Sequence, residues 1–203
     1  MKEKYLNDIK EIKEMMNKSS RFVSLSGPSG IVAGIIALIG AFAAHQLIFK
    51  ETTILGFDRI FLSEEQLINL VLIGVVTLVT SILLIILLTT RETKKRNQPI
   101  WDQQTKRILI NLAIPLFTGG FICLILLLQG FAGLLLPFTL VFYGLALVNV
   151  SKYTLHEMLS LGLIECFLGL LALVLIEYSL IIWSVGFGLV NIIYGFVVKT
   201  KYK

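Results

Sequence analysis

One acidic residue, Glu165, stands in the middle of a long apolar stretch and is the strongest candidate for chemistry in the chain. It lies about ten residues from either end of residues 155–176, so its carboxyl group would lie ~15 Å deep in a bilayer. An acid at that depth costs roughly 2.5–3.5 kcal/mol on insertion scales. The sequence places no lysine or arginine at a matching depth. The protonated, neutral carboxyl group is therefore the cheaper state.

Counting across the helical hairpins predicts which polar groups share the level of Glu165. If the last two apolar stretches turn at about residue 178, position 165 lies opposite Asn191. The preceding turn, near residue 152, places it opposite about residue 140, between Thr139 and Tyr143. Polar groups away from water need partners. We therefore predict a binding layer of Glu165, Asn191, Tyr143 and Thr139. The same counting brings further positions to a similar depth: Thr77, Thr80, Ser81, Thr118, Gly119 and Gly120.

Two roles for Glu165 are open at this point. In a functional role, the carboxyl group titrates a proton or binds substrate in a small transport pathway. In a structural role, it stays protonated, bonds to Asn191 or to a free carbonyl group, and holds helices together. We favour the structural role, because isolated acids also join helices inside membranes.

No catalytic, cofactor or metal signature accompanies this acid. A buried Glu without a paired carboxylate, a His cluster or a Cys–His pair is a weak basis for catalysis. The two cysteines, Cys123 and Cys166, lie in different apolar stretches at different depths, which argues against a disulfide or a metal site. His156-Glu157 lacks the spacing of metal ligands. We therefore predict a protein that is not an enzyme and has no cofactor and no metal.

The rest of the chain consists of apolar stretches long enough to hold such an acid inside a membrane. Hydrophobic residues make up 56% of the 203 residues and charged residues 15%, whereas soluble domains carry about a quarter charged. Crossing the hydrocarbon takes about twenty apolar residues. Six stretches meet this requirement, at 31–49, 66–88, 108–128, 131–150, 155–176 and 179–198. The sequence predicts an all-α integral membrane protein whose transmembrane domain covers residues 23–203.

The positions of the lysines and arginines predict how the spans are oriented, because positive charge stays on the cytoplasmic side. Of the 18 such residues, 16 fall in segments that would share one face of the membrane, and two fall on the other face. This asymmetry predicts an even number of crossings and both termini in the cytoplasm. It also assigns the basic residues to anionic lipid rather than to nucleic acid.

Two charged segments are predicted to face the cytoplasm and to offer docking surfaces for a protein partner, residues 1–18 and residues 91–107. The first belongs to a predicted amphipathic helix at 1–22, whose apolar stripe is Tyr5, Ile9, Ile12 and Met16. Its charges nearly cancel, so docking on a protein or on a second copy competes with binding to anionic lipid. The simplest interpretation of 91–107 is a solvated positive-inside loop.

Small residues recur along the first stretch at intervals of four. The two rows are Ser26, Gly30 and Gly34, and Ala33, Ala37 and Ala41. Such rows let helix backbones approach closely, and they permit a homo-oligomer without requiring one. The first span is therefore predicted to be a packed, interior helix.

Three local patterns make further predictions. Ser63-Glu64-Glu65-Gln66 is typical of a capping box at the start of the second span. Asn111 and Asn149 are level across the third hairpin, which predicts one interhelical hydrogen bond. Trp183, near the end of a stretch, is predicted to anchor at the lipid headgroups.

Five runs of residues carry a resemblance to a known family. They are SRFVSLSG at 20–27, LINLAIPLFTGGFICLILL at 109–127, FYGLALVNVSKYTL at 142–155, GLIECFLGL at 162–170 and WSVGFGLVNIIYG at 183–195. They resemble a family of small, uncharacterised bacterial membrane proteins with six spans. The resemblance covers nearly the whole chain and carries over no catalytic or binding residue. It implies a location in the bacterial cytoplasmic (inner) membrane, and it favours a regulatory or sensing role by association.

These patterns together lead to two functional hypotheses. The first is a non-enzymatic membrane module that senses, anchors or regulates through its cytoplasmic surfaces. The alternative is a small transporter or channel that uses Glu165.

Overall fold

The computed structural model describes residues 27–49, 56–60, 62–95 and 103–201. These residues form helices joined by short turns, and no strand occurs among them. Within these ranges, six helical stretches are long and apolar enough to cross a membrane: Gly27–Phe49, Glu64–Lys94, Gln103–Leu128, Ala132–Tyr153, Glu157–Val174 and Ile176–Lys201. The predicted all-α class and the number of spans are confirmed. The amphipathic helix predicted at 1–22 lies outside the described residues.

Seven α-helices build the six spans. They are α1 Gly27–Ala44, α2 Glu64–Lys95, α3 Gln103–Leu128, α4 Leu135–Val150, α5 Glu157–Val174, α6 Ser179–Trp183 and α7 Asn191–Lys201. The first span ends in a π-helical turn, His45–Phe49. The sixth span is interrupted between α6 and α7 by a second one, Ser184–Val190, here called the π segment.

Successive spans run antiparallel between two ends of the bundle. At the Gly130 end, the turn between α3 and α4 places Gly130 at φ 84°, a conformation that favours glycine. Its carbonyl oxygen accepts a hydrogen bond of 2.9 Å from the backbone N–H of Ile60. At the Lys201 end, Lys201 pairs with Glu157, and Gly27 lies against the backbone of Lys199. The start of α1 and the end of α7 therefore share one end of the bundle.

The start of α2 carries the predicted capping box. The backbone N–H of Gln66 donates to Ser63 Oγ at 3.3 Å, and the backbone N–H of Ser63 donates to Gln66 Oε1 at 3.2 Å. Two backbone donors that a helix end leaves unpaired are satisfied reciprocally. This prediction is confirmed.

Glycines bring the first and sixth spans into backbone contact. A Cβ atom added at Gly34 would lie 2.5 Å from Gly188 O, and one at Gly30 would lie 3.2 Å from Asn191 O. Gly30, Gly34, Ala37 and Ala41 are all buried. The prediction that the first span packs through its small residues is confirmed. It is not interior on every side, since Ile39 and Phe42 are 64% and 65% exposed.

The fourth and fifth spans cross in the same way. A Cβ atom at Gly144 would lie 2.6 Å from Gly162 O, and one at Gly162 would lie 2.8 Å from Gly144 O. Because neither position carries a side chain, α4 and α5 pack backbone to backbone along this crossing. This contact fixes the height of α5 against α4 and hence the level of Glu165.

The second and third spans lie at the edges of the bundle. Helix α2 packs against α1, where Thr77 lies against Gly40, and α3 packs against α4, where Phe142 lies against Gly119. No residue in the most apolar window of α2 is buried. The two edges approach each other at the Gly130 end, around a cluster of Ile48, Ala132, Phe49, Leu62, Leu70, Ile73, Leu127 and Leu135.

Candidate functional site

Glu165 lies halfway along α5, and its side chain is 0% exposed. Apolar clusters flank it on both sides along the bundle. Toward the Gly130 end the cluster is Leu140, Ala172 and Ile182, with Leu168, Leu171, Trp183 and Phe187 packed against it. Toward the Lys201 end it is Leu147, Leu155, Met158, Leu161, Tyr194 and Val198. The acid therefore belongs to a thin polar layer between two apolar layers.

Asn191, the first residue of α7, is the centre of this layer. Its Nδ2 donates to Glu165 Oε1 at 3.1 Å and to the carbonyl oxygen of Gly186 at 3.3 Å. Its Oδ1 accepts from the hydroxyl group of Tyr143 at 3.0 Å. The side-chain amide thus joins α7 to α4, to α5 and to the π segment. Counting across the hairpins placed Asn191 and Tyr143 at the level of Glu165, and the contacts agree.

The second oxygen of Glu165 is in a different situation. Oε2 is buried and has no hydrogen-bond partner among the described residues. No ion pair to Glu165 is formed within this part of the chain either. An ionised carboxylate in these surroundings would be an uncompensated charge, so the geometry favours the neutral acid. The protonated carboxyl group accepts a hydrogen bond from Asn191 and in this way joins α5 to α7.

The π segment brings a bare stretch of backbone against the acid. A Cβ atom added at Gly186 would lie 2.5 Å from Glu165 Oε2 and 2.7 Å from Leu140 Cδ2. Only glycine fits here without displacing one of the two. Sequence reasoning missed Gly186, because a residue without a side chain suggests no chemistry. Its signal is the pair Gly186 and Gly188 inside an apolar stretch, which marks close backbone approach.

Thr139 lies beside the layer rather than in it. Its Oγ1 donates to Leu136 O at 2.8 Å and accepts from the indole Nε1–H of Trp183 at 3.0 Å. The link to the layer is aromatic, since the Phe187 ring lies 4.7 Å from that of Trp183 and 4.6 Å from that of Tyr143. The indole N–H of Trp183, which was predicted to anchor at the headgroups, is used on Thr139 between the spans.

The wider polar layer suggested by depth alone does not form. Thr77 lies against Gly40, and Thr118 donates to Ile114 O on its own helix at 2.8 Å. The predicted bond between Asn111 and Asn149 is also wrong, since Asn111 Nδ2 donates to Arg107 O at 2.8 Å. Equal depth was not sufficient to form hydrogen bonds between helices in these cases. A Thr or Asn side chain can always reach the carbonyl group one turn earlier on its own helix instead.

Two open clefts on the described surface lie away from this layer. One, of about 370 Å³, lies between the first and sixth spans toward the Gly130 end. The other, of about 400 Å³, lies on α7 at the Lys201 end. Neither is lined by Glu165, Asn191 or Tyr143. Within the described ranges, no group of three or more His, Cys, Asp or Glu residues could hold a metal ion.

No family model matches the chain, and neither a curated protein nor a solved structure is significantly similar to it. The resemblance to small six-span bacterial proteins therefore stays a prediction. The functional argument rests on the contacts of the chain's own residues.

Proposed function

We propose that the protein is a multi-pass protein of the bacterial cytoplasmic membrane that works as a non-enzymatic sensing, anchoring or regulatory module. The observation that carries this proposal is the sealed state of Glu165. Its side chain is 0% exposed, it lies between two apolar clusters, and it is bonded to Asn191. In such a site the acid serves to join helices, and the membrane domain serves as a scaffold.

The scaffold presents its charged segments on one side. Of 18 Lys and Arg residues, 16 fall in segments that share one face, and we assign this face to the cytoplasm by the positive-inside rule. The contact of Gly27 with Lys199 is compatible with an even number of crossings and with both termini in the cytoplasm. A reporter fused after Lys203 should then be active in the cytoplasm and silent in the periplasm.

The working surfaces of this module are residues 1–18 and residues 91–107, with a protein as the partner. A direct test fuses an affinity tag to the C-terminus and compares partners of the full chain with those of a chain lacking residues 1–18. A partner should be lost while membrane insertion persists. An unchanged set of partners would contradict the proposal.

A matched pair of variants separates the apolar stripe from the charges of the same segment. Ile9→Asp with Ile12→Asp disrupts the predicted stripe, whereas Lys10→Gln with Lys13→Gln alters its charged face. The stripe variant should lose the partner and the charge variant should keep it. The opposite result would assign binding to charge and favour anionic lipid as the true contact.

A small transporter or channel that uses Glu165 is the second candidate. It is favoured by the unpartnered Oε2, because a transported ion or proton could use this atom. The test is proton-coupled uptake into vesicles reconstituted with native protein or with Glu165→Gln. Uptake by the native protein that this variant abolishes would favour transport over the module. Equal behaviour of both would exclude Glu165 from any pathway.

A further inference from the structure

The two apolar clusters that seal Glu165 differ in the polar groups that accompany them. The cluster at the Lys201 end is apolar apart from the hydroxyl group of Tyr194. At the Gly130 end, the cluster is accompanied by the hydrogen-bonded pair Thr139 and Trp183. Ser179, at the start of α6, lies further toward this end. It is 0% exposed, and its hydroxyl group has no hydrogen-bond partner among the described residues. The seal at the Gly130 end is therefore the more polar one.

The free oxygen of Glu165 lies on the side of this more polar seal. Oε1 is bonded to Asn191, whereas Oε2 lies against Gly186, which precedes Asn191 in the sixth span and so lies nearer the Gly130 end. A Cβ atom added at Gly186 would lie 2.5 Å from Oε2 and 2.7 Å from Leu140 Cδ2. The free oxygen and the end of the Leu140 side chain therefore border the same space.

Leu140 covers the free oxygen with an apolar side chain. It is 0% exposed and packs in one cluster with Ala172 and Ile182. Truncating it would leave a cavity bordered by a carboxyl oxygen that has a free hydrogen-bonding position. A roomy cavity with polar partners takes up water, whereas an apolar cavity stays dry. Access of water to Glu165 from the Gly130 end therefore depends on the position of one side chain.

We propose that Leu140 is the gate that closes a route for water and protons from the Gly130 end to Glu165. The free oxygen faces this route, and the Leu140 side chain blocks it. The acid is sealed while the gate is closed, and it can exchange its proton only when Leu140 moves. This inference goes beyond the proposed function. It depends neither on the sensing role nor on which face of the membrane the Gly130 end occupies.

The experiment measures how fast the infrared carbonyl band of Glu165 shifts when the full chain in bilayers is transferred from H2O to D2O. Leu140→Ala opens the proposed gate. Leu147→Ala is the matched control, because it makes the same truncation about two turns further along α4, at a side chain of the other cluster that is 2% exposed. The band should shift within minutes in Leu140→Ala, and only over hours in the native protein and in Leu147→Ala.

Two results would overturn the proposal. One is a shift in Leu147→Ala as fast as that in Leu140→Ala, and the other is a shift in Leu140→Ala no faster than in the native protein. Leu140→Val and Leu147→Val remove less of each side chain and keep the test informative if an alanine variant does not fold. The same order of rates is expected for this pair, and equal rates would contradict a gate at Leu140.

Discussion

The edge helices α2 and α3 and the spans that pack through glycines differ in hydropathy and in burial. The relation is the reverse of that in soluble proteins, in which the most apolar segments are the most buried. The second span has the highest mean hydropathy, 3.1, and no residue of its most apolar window is buried. The fourth span has the lowest, 1.9, and 39% of its window is buried. This order is the one expected if the spans lie in lipid, as proposed. Apolar side chains then gain little by leaving their surroundings, so small and polar residues decide which helices pack inside.

The glycines show the same contrast. Gly74 in α2 and Gly120 in α3 have no neighbour within 4 Å of an added Cβ atom, whereas Gly144 and Gly162 would meet backbone atoms. The polar groups follow the same division, since Glu165, Asn191 and Tyr143 all belong to the packed spans. If this contrast governs stability, equal substitutions in the two regions should have unequal effects.

The largest effect is expected at the crossing of α4 and α5. Gly162→Leu forces the two backbones apart, since even a Cβ atom there would lie 2.8 Å from Gly144 O. We expect a loss of at least about 3 kcal/mol in the free energy of unfolding, the upper part of the overpacking range. Gly120→Leu is the matched control and should change it by less than about 0.5 kcal/mol. Equal losses in sodium dodecyl sulfate titrations would show that the two regions do not differ.

The polar layer should give the next largest effect. Asn191→Leu leaves Glu165 and Tyr143 without this partner and should cost about 1–3 kcal/mol. The double variant Glu165→Leu with Asn191→Leu removes both buried polar groups and should recover much of that loss. A double variant less stable than the single one, in the same titration, would indicate that Glu165 stabilises the bundle without Asn191.

A smaller effect is expected at the bond between Thr139 and Trp183. Thr139→Val keeps the shape and removes the acceptor of the indole N–H. Interhelical bonds of this kind contribute about 0.6 kcal/mol on average in membrane proteins. The loss is measurable by the same titration, with Thr118→Val as the control because Thr118 bonds to its own helix. If Thr118→Val lowered the free energy of unfolding as much as Thr139→Val, the bond between Thr139 and Trp183 would make no separate contribution to stability.

The smallest effect is expected on the exposed side of α2. Leu72 is 56% exposed, so Leu72→Ala leaves no cavity and should cost less than about 0.5 kcal/mol. Leu140→Ala truncates a side chain that is 0% exposed. It leaves a cavity and should therefore cost more than Leu72→Ala but less than Gly162→Leu. A large loss at Leu72 would reveal a buried contact of α2, such as one with a second copy.

The sequence was sufficient to predict neighbours of Glu165 where the helices are regular. It was insufficient where the π segment interrupts the sixth span. Antiparallel spans with a constant rise bring Asn191 and Tyr143 to the level of Glu165, so counting predicted both. The π segment adds a wide turn directly after Trp183, which changes the facing of the residues on either side of it. Counting therefore gave no indication that Trp183 points at Thr139 or that Gly186 lies on the acid.

The edge position of α2 could not be predicted for a different reason. Its polar residues Asn69, Thr77, Thr80 and Ser81 recur on one side of the helix, and this is the half-buried side. The pattern thus marks the side that packs, but it does not show that α2 has few neighbours. Asn111 shows a further limit, since a helix carbonyl one turn back competes with any partner on the next helix. The position of α2 and the hydrogen bond of Asn111 both depend on which helices come into contact, and hydropathy and depth do not specify these contacts.

Infrared spectroscopy of the Glu165 carboxyl group in bilayers tests the sealed polar layer most directly. The native protein should show the carbonyl band of a protonated acid at neutral pH, and the band should be absent from Glu165→Gln. In D2O the band should stay in place for hours, because the group is 0% exposed. A band that shifts at once in D2O, or an ionised carboxylate at neutral pH, would contradict a sealed acid that joins the helices.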